Sequence, residues 1–319
     1  MSITMTGGMT FSGAFTVTAP PPSLKAIFGY GQISGGGGGV VSMTNLVSNT
    51  GVVANDTAGV GTARDNLAAA GYGTDKAIFG YGQIVGVVVA SMTNLVTKTG
   101  VVGNNVTGVG TARNLLAAAT YGTDKAIFGY GAVSAGGGSS QSITNLVSNT
   151  GVVSTDTTGV GTARWSLAAA GYGTDKAIFG YGSYGVASAL TNLVSNTGVV
   201  ANDTAGVGTA RSSLAAATYG TDKAIFGYGQ NNDYANQSVT NLVSNTGVVA
   251  SDTTGVGTVR YGLAAAGYGS TGQAIFGYGG TNSSFLSMTN LVSNTGVVSN
   301  DVTGVGTGRK YPAAASYGS

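Results

Sequence analysis

Apolar positions in this chain come in short runs that glycine closes and small polar residues separate. The run A-I-F-G-Y-G from Ala26 supplies packing area through its aromatics and close backbone approach through its glycines, which reads as a strand. After a loop, T-N-L-V-S-N-T-G-V-V (Thr44 to Val53) predicts a second strand. In N-D-T-A-G-V-G-T-A-R, Asp56 and Gly59 mark a turn and Val60 to Ala63 a short third strand. L-A-A-A-G-Y-G, Leu67 to Gly73, is rich in alanine, a helix former. Gly71 and Gly73 nevertheless stop that run too early for a stable helix, so it predicts a fourth strand. Thr74-Asp75 then makes a tight hairpin-type turn into Lys76.

The whole block repeats. A-I-F-G-Y-G begins at Ala26, Ala77, Ala126, Ala177, Ala224 and Ala274, and an arginine follows each core at a similar offset: Arg64, Arg113, Arg164, Arg211, Arg260 and Arg309. A period near 49 residues means a propeller, a solenoid or an array. Four short strands per repeat is the arithmetic of a propeller blade. The chain enters the first core with no preceding R-x-x-L-A-A-A, and it ends on Arg309 to Gly318 with no core to follow. Joined, the two ends complete a sixth blade and remove the free edges of an open sheet. An open solenoid would want polar caps instead. The expected fold is therefore all-β: a six-bladed propeller of four-stranded blades over residues 25–319, closed by both termini.

Ahead of it, apolar and small polar residues alternate at Ile3, Met5, Phe11, Phe15 and Val17, predicting a β arm over residues 1–19. Pro20-Pro21-Pro22 makes residues 20–24 a stiff spacer. The arm is either an extra strand against its own domain or an assembly arm that adds a strand to another subunit.

Composition narrows the chemistry. Glycine is 57 of 319 residues, yet there are four prolines and no three-residue period, which excludes a collagen-like chain. Charged residues are 8% and the formal charge is +2, too little for a counterion-driven grip on nucleic acid. No run approaches a membrane-spanning length, and Met1 to Gly13 lacks the features of a signal peptide. With no cysteine there is no disulfide framework, and without histidine as well no copper or zinc centre is expected.

The order of arginine, small-residue strand, turn, strand with paired glycines, asparagine-bearing strand and aspartate turn resembles the kelch repeat over Lys25 to Ser319. It departs from the usual kelch unit: tyrosine splits the glycines (Gly80-Tyr81-Gly82), and Trp165 is the one tryptophan. The resemblance implies a propeller. It carries over no copper-oxidase active site, because the ligands are missing. The lead M-T-G-G-M-T-F-S-G-A-F-T-V-T-A-P-P-P is similar to N-terminal segments of virion proteins of marine tailed phages, cyanophages especially.

Each recurring polar residue has two readings. The six arginines either line a channel and hold anions, or pair with aspartates and cap carbonyls between blades, as charges repeated alongside (Arg64 with Asp56, Lys76 with Asp75) suggest. Asp56, Asp156, Asp203, Asp252 and Asp301 read as Asx-turns rather than calcium loops, since each turn holds one acid. The G-Y-G tyrosines read as packing between blades rather than as sugar platforms. Glycosidase chemistry wants two carboxylates of different acidity, and here the acids recur from repeat to repeat instead of standing out. No cofactor and no enzyme activity are expected.

The strongest functional signal is contrast. Between the first and second strands the text diverges in every repeat: residues 32–43, 83–92, 132–143, 183–190, 230–239 and 280–288. Six different tips on a fixed scaffold would share one face. Tyr184, Asn231, Asn232, Asp233, Tyr234 and Phe285 are the candidate binding residues there, against neutral drift as the alternative. The expectation is a non-enzymatic virion structural protein of a tailed phage, bound to other capsid or tail proteins through residues 1–19. Its propeller would serve for decoration or adhesion. The alternative is a lectin-like propeller that binds host-surface glycan or protein, with no nucleic-acid partner and no membrane insertion in either case.

Overall fold

The structure is a computed structural model that describes residues 24–35, 39–85, 88–134 and 137–318. Every regular element among them is a β-strand. The K-A-I-F-G segments form β1 (Lys25–Gln32), β4 (Lys76–Gly80), β9 (Lys125–Gly129), β12 (Lys176–Gly180), β15 (Lys223–Gly227) and, with glutamine leading, β18 (Gln273–Gly277). T-N-L-V gives β2 (Val40–Val47), β7 (Thr93–Val96), β10 (Thr144–Val147), β13 (Thr191–Val194), β16 (Thr240–Val243) and β19 (Thr289–Val292). The alanine run gives β3 (Ala68–Tyr72), β8 (Ala117–Tyr121), β11 (Ala168–Tyr172), β14 (Ala215–Tyr219), β17 (Ala264–Tyr268) and β20 (Ala313–Tyr317). A two-stranded ribbon, β5 (Gln83–Ile84) and β6 (Val88–Val89), decorates one loop.

These strands pair antiparallel in three-stranded sheets, with K-A-I-F-G always in the middle. The first such sheet combines both ends of the chain, since β1 lies between β2 and β20. Middle strands are buried along their length because a neighbouring sheet covers each face, which is why they read as continuous apolar text. The alanine strands alternate instead: Ala68, Ala70 and Tyr72 are buried, whereas Ala69 and Gly71 are half-exposed. They neighbour one another in the order β3, β8, β11, β14, β17, β20, and β20 neighbours β3. Small side chains are what such close strands permit, so packing overrides alanine's helix preference.

The core sits between sheets. Phe79, Phe128, Phe179, Phe226, Phe276 and Phe28 each press their ring onto a glycine of the sheet before. A Cβ on Gly80 would stand 2.7 Å from Phe128 Cζ, so only glycine fits there. Each phenylalanine also meets the tyrosine of that same sheet, with Tyr81 and Phe128 centred 5.1 Å apart at 58°. The last pair, Tyr278 with Phe28, returns to the first sheet.

Two circles of backbone hydrogen bonds tie the sheets at opposite ends. At one end Asn66, Leu115, Ser166, Ser213, Gly262 and Tyr311 each donate N–H to the equivalent carbonyl of the sheet before, at 2.6–3.2 Å, with Asn66 reaching back to Tyr311. At the other end Gly73 donates to Asp124 and so on around the ring, until Gly269 donates to Leu24 and Gly318 to Asp75. Strand direction assigns the divergent loops to the first end and the near-identical Thr-Asp and Asn-Thr-Gly turns to the second. These are called here the variable and the constant end.

Two predicted elements are corrected. Residues 60–63 form no strand, and the outer edge of each sheet is made by isolated bridges such as Val47 to Val53 and Thr44 to Thr57. The second strand stops at Val47, where Ser48 Oγ accepts the N–H groups of Thr50 and Val52 and turns the chain.

Candidate functional site

The six arginines are fully buried and line no channel. Each fastens one joint between sheets. Arg64 stacks its guanidinium 4.4 Å above the Tyr30 ring of one sheet and donates from Nη2 to Asn94 Oδ1 of the next at 2.7 Å. Its Nη1 donates to the Thr62 carbonyl and its Nε to that of Tyr81. Desolvating a guanidinium costs several kcal/mol unless its donors are used; Arg64 uses all three nitrogens, whereas the buried Nε of Arg113, Arg211 and Arg309 has no partner. Burial lowers the Arg64 pKa, partly offset by Tyr30, while burial pushes the Tyr81 hydroxyl up to about 12.

The aspartates act across the same joints. Asp156 stands 3.6 Å from Arg113, and Asp56 stands 3.7 Å from Arg309 rather than beside Arg64. The expected Asx-turns are corrected accordingly. Asp56 accepts the N–H and hydroxyl of Thr307 across the closing joint, and an N–H of Asn45 within its own sheet. Burial alone would raise the Asp56 carboxyl, but these hydrogen bonds outweigh it and hold the group below its ordinary value. Arg64 faces Asn105, which keeps the bonds to Thr62 and Asn94 without the charge.

The variable end gathers what the repeats do not share. Between each arginine and the next Leu (or Pro312) stand two residues that differ in every repeat: Asp65-Asn66, Asn114-Leu115, Trp165-Ser166, Ser212-Ser213, Tyr261-Gly262 and Lys310-Tyr311. Sequence reasoning missed them, although their divergence inside invariant text was a usable signal. The first of each pair bridges to the start of a divergent loop, as Asp65 does to Gln83 and Lys310 to Gln32. The second joins the hydrogen-bond circle and lines an axial cavity of about 70 Å³.

Side chains of these residues brace the loop of the sheet before. Asn114 Nδ2 donates to Gln83 Oε1 at 2.7 Å. Lys310 is buried, donates to the Thr281 carbonyl at 2.6 Å, and lies 4.7 and 4.8 Å from the ring centres of Tyr261 and Phe285. Phe285 is thus half-buried over a lysine, which corrects its expected place as an exposed tip. Asp65 is buried with Oδ1 unbonded, and burial pushes its carboxyl up to about 6 against a hydrogen bond from Asn66.

Tyr184 and Tyr234 are open to solvent at 51% and 77%, and Asp233 is exposed between Asn232 and Tyr234. Asn231 Oδ1 accepts the N–H groups of Asp233 and Ala235 and so shapes its own loop. Asn232 Oδ1 accepts from Ala187 N at 2.6 Å, and Gln230 Nε2 donates to Asn282 Oδ1 at 3.2 Å. Three consecutive loops are thereby linked into one surface of aromatic faces and amide groups. The arm residues Ile3, Met5, Phe11, Phe15 and Val17 lie outside the described residues.

Among the described residues no three acids, cysteines or histidines come together as a metal cluster would. No helix among them is long and apolar enough to cross a membrane. No protein-family model matches the chain, and the curated proteins searched contain no match to it.

Proposed function

We propose that the chain is a six-bladed, kelch-like β-propeller and a non-enzymatic virion component of a tailed phage, held to capsid or tail proteins by residues 1–19. The observation that carries this reading is the opposition of two ends. Leu24, the first described residue after the arm, bonds at the constant end, whereas every divergent loop and dipeptide stands at the other. An arm joined to the uniform end leaves the individual end facing outward, the arrangement a decoration or adhesion module needs. The likeness of the lead to virion proteins supplies the setting. The test is deletion of residues 1–19 in the producing phage. Loss of the protein from purified particles is expected, and full occupancy by the truncated chain would overturn the reading.

A second reading is favoured by one observation, the exposed rings of Tyr184 and Tyr234 beside amide side chains, a combination suited to sugar contact. On that reading the purified chain binds a surface glycan and loses it on Tyr234→Ala. A glycan array that shows no binding by the isolated chain removes it.

A further inference from the structure

A cavity of about 460 Å³ opens at the constant end, away from the proposed display face. Its wall alternates: Gly71, Thr120, Gly171, Thr218, Gly267 and Ser316 occupy one position in six successive alanine strands. Each hydroxyl donates to the carbonyl of the glycine before it: Thr120 to Gly71 at 2.8 Å, Thr218 to Gly171 at 2.9 Å and Ser316 to Gly267 at 2.7 Å. Thr74, Thr123 and Thr174 at the rim likewise donate to the glycine carbonyl before them, each at 2.6 Å. These protons are committed to the backbone, so the oxygens keep only lone pairs for a guest. Gln273, where the five other repeats have lysine, also lines the cavity, so this one position of the wall lacks the cation of its sisters.

A wall of hydroxyl oxygens whose protons are spent calls for a donor. Charge decides which kind. Lys76 and Lys176 stand at the rim, each held by its neighbouring aspartate at 2.8 and 3.0 Å, so the mouth has no excess of negative charge to draw an ammonium. An anion would have to compete with Asp75 and Asp175 for those lysines and would meet lone pairs on the wall. A neutral molecule with several O–H donors fits both conditions, and the sides of Tyr72, Tyr172 and Tyr268 offer apolar surface to its C–H face. The volume falls within the span of ordinary ligand sites.

We infer that the constant-end cavity binds a small neutral polyol of the monosaccharide class. This site is separate from the variable loops and does not depend on the display reading. Saturation-transfer NMR and calorimetry on the full chain test it with D-glucose, D-galactose, D-mannose and myo-inositol, with putrescine and sulfate as charged controls. At least one polyol saturates a single site at about 10 mM or below. Gln273→Lys, which installs the residue of the sister repeats, weakens that binding at least about tenfold. Gly171→Ala, which narrows the wall, serves as a second variant and has the same effect. Tyr234→Ala leaves it unchanged. Absence of polyol binding, tighter binding of putrescine or sulfate, persistence in both cavity variants, or loss in Tyr234→Ala each overturns the inference.

Discussion

Arg309 donates from Nη2 to Oδ1 of Asn45 at 2.6 Å, although 264 positions separate them. Arg164 makes the same bond to Asn192 across 28 positions. The joint between the last and first sheets therefore repeats the asparagine bond and the tyrosine beneath the guanidinium, at 4.1 Å, although Arg309 Nε lacks the carbonyl partner that Arg164 Nε has. Replacing either arginine strands the asparagine and empties a buried volume. Arg309→Ala and Arg164→Ala should each cost about 3–5 kcal/mol in urea unfolding. A cost below about 1 kcal/mol for Arg309→Ala, with the full cost for Arg164→Ala, would mean that the closing joint carries no stability.

Asn105 is the one place where the acid of the joint is missing. Asn105→Asp should give Arg64 the carboxylate that the other five arginines have. The equivalent acids are partly exposed (29% for Asp156), so screening limits the gain to about 0.5–1 kcal/mol. The other joint acids have lowered pKa values, so the gain should exist above the ordinary carboxylate value and vanish as pH falls through the lowered one. Denaturation at pH 7 and pH 3 measures the difference.

Asp65 should have the opposite pH dependence. Its folded pKa of about 6 lies above the unfolded value of 3.8, so the native state binds the proton more tightly. Its penalty is absent below the unfolded value, grows as pH rises toward 6, and is complete above, at roughly 3 kcal/mol. Asp65→Asn should accordingly be more stable than the parent at pH 7.5 and equal to it near pH 3.5. Parallel melting curves at both pH values decide it.

Gly80→Ala places a methyl group into the Phe128 ring, which has no free space to retreat. A loss of about 2–3 kcal/mol is expected. Tyr234→Ala, at an exposed tip, should move the melting midpoint by no more than about a degree. Equal effects from the two would contradict the packing described.

The strand text was legible wherever burial on both faces forced continuous apolar runs, as in Ala77 to Gly80. The complementary ends foretold that β1 pairs with β20. Residues 60–63 misled because V-G-T-A alternates like a strand, while its polar partners stand in the next repeat: Thr62 N–H goes to Asn105. Gly61, at φ 76°, breaks the extended path. Periodic text has the same blind spot for ion pairs. Every repeat but one holds an aspartate and an arginine, so nothing in the letters says that Asp56 serves Arg309. Variable dipeptides such as Asp65-Asn66 were hidden by their brevity inside copied surroundings.

The alternation of glycine with Thr120, Thr218 and Ser316 gives the molecule a parity. A side chain on Gly171 would come 3.3 Å from both the Thr120 carbonyl and the Thr218 hydroxyl, so two bulky members cannot sit side by side without crowding. In a closed circle an odd number of repeats cannot alternate throughout, whereas a change of two preserves the order. Lineages of this chain should therefore grow and shrink in doublets of about a hundred residues.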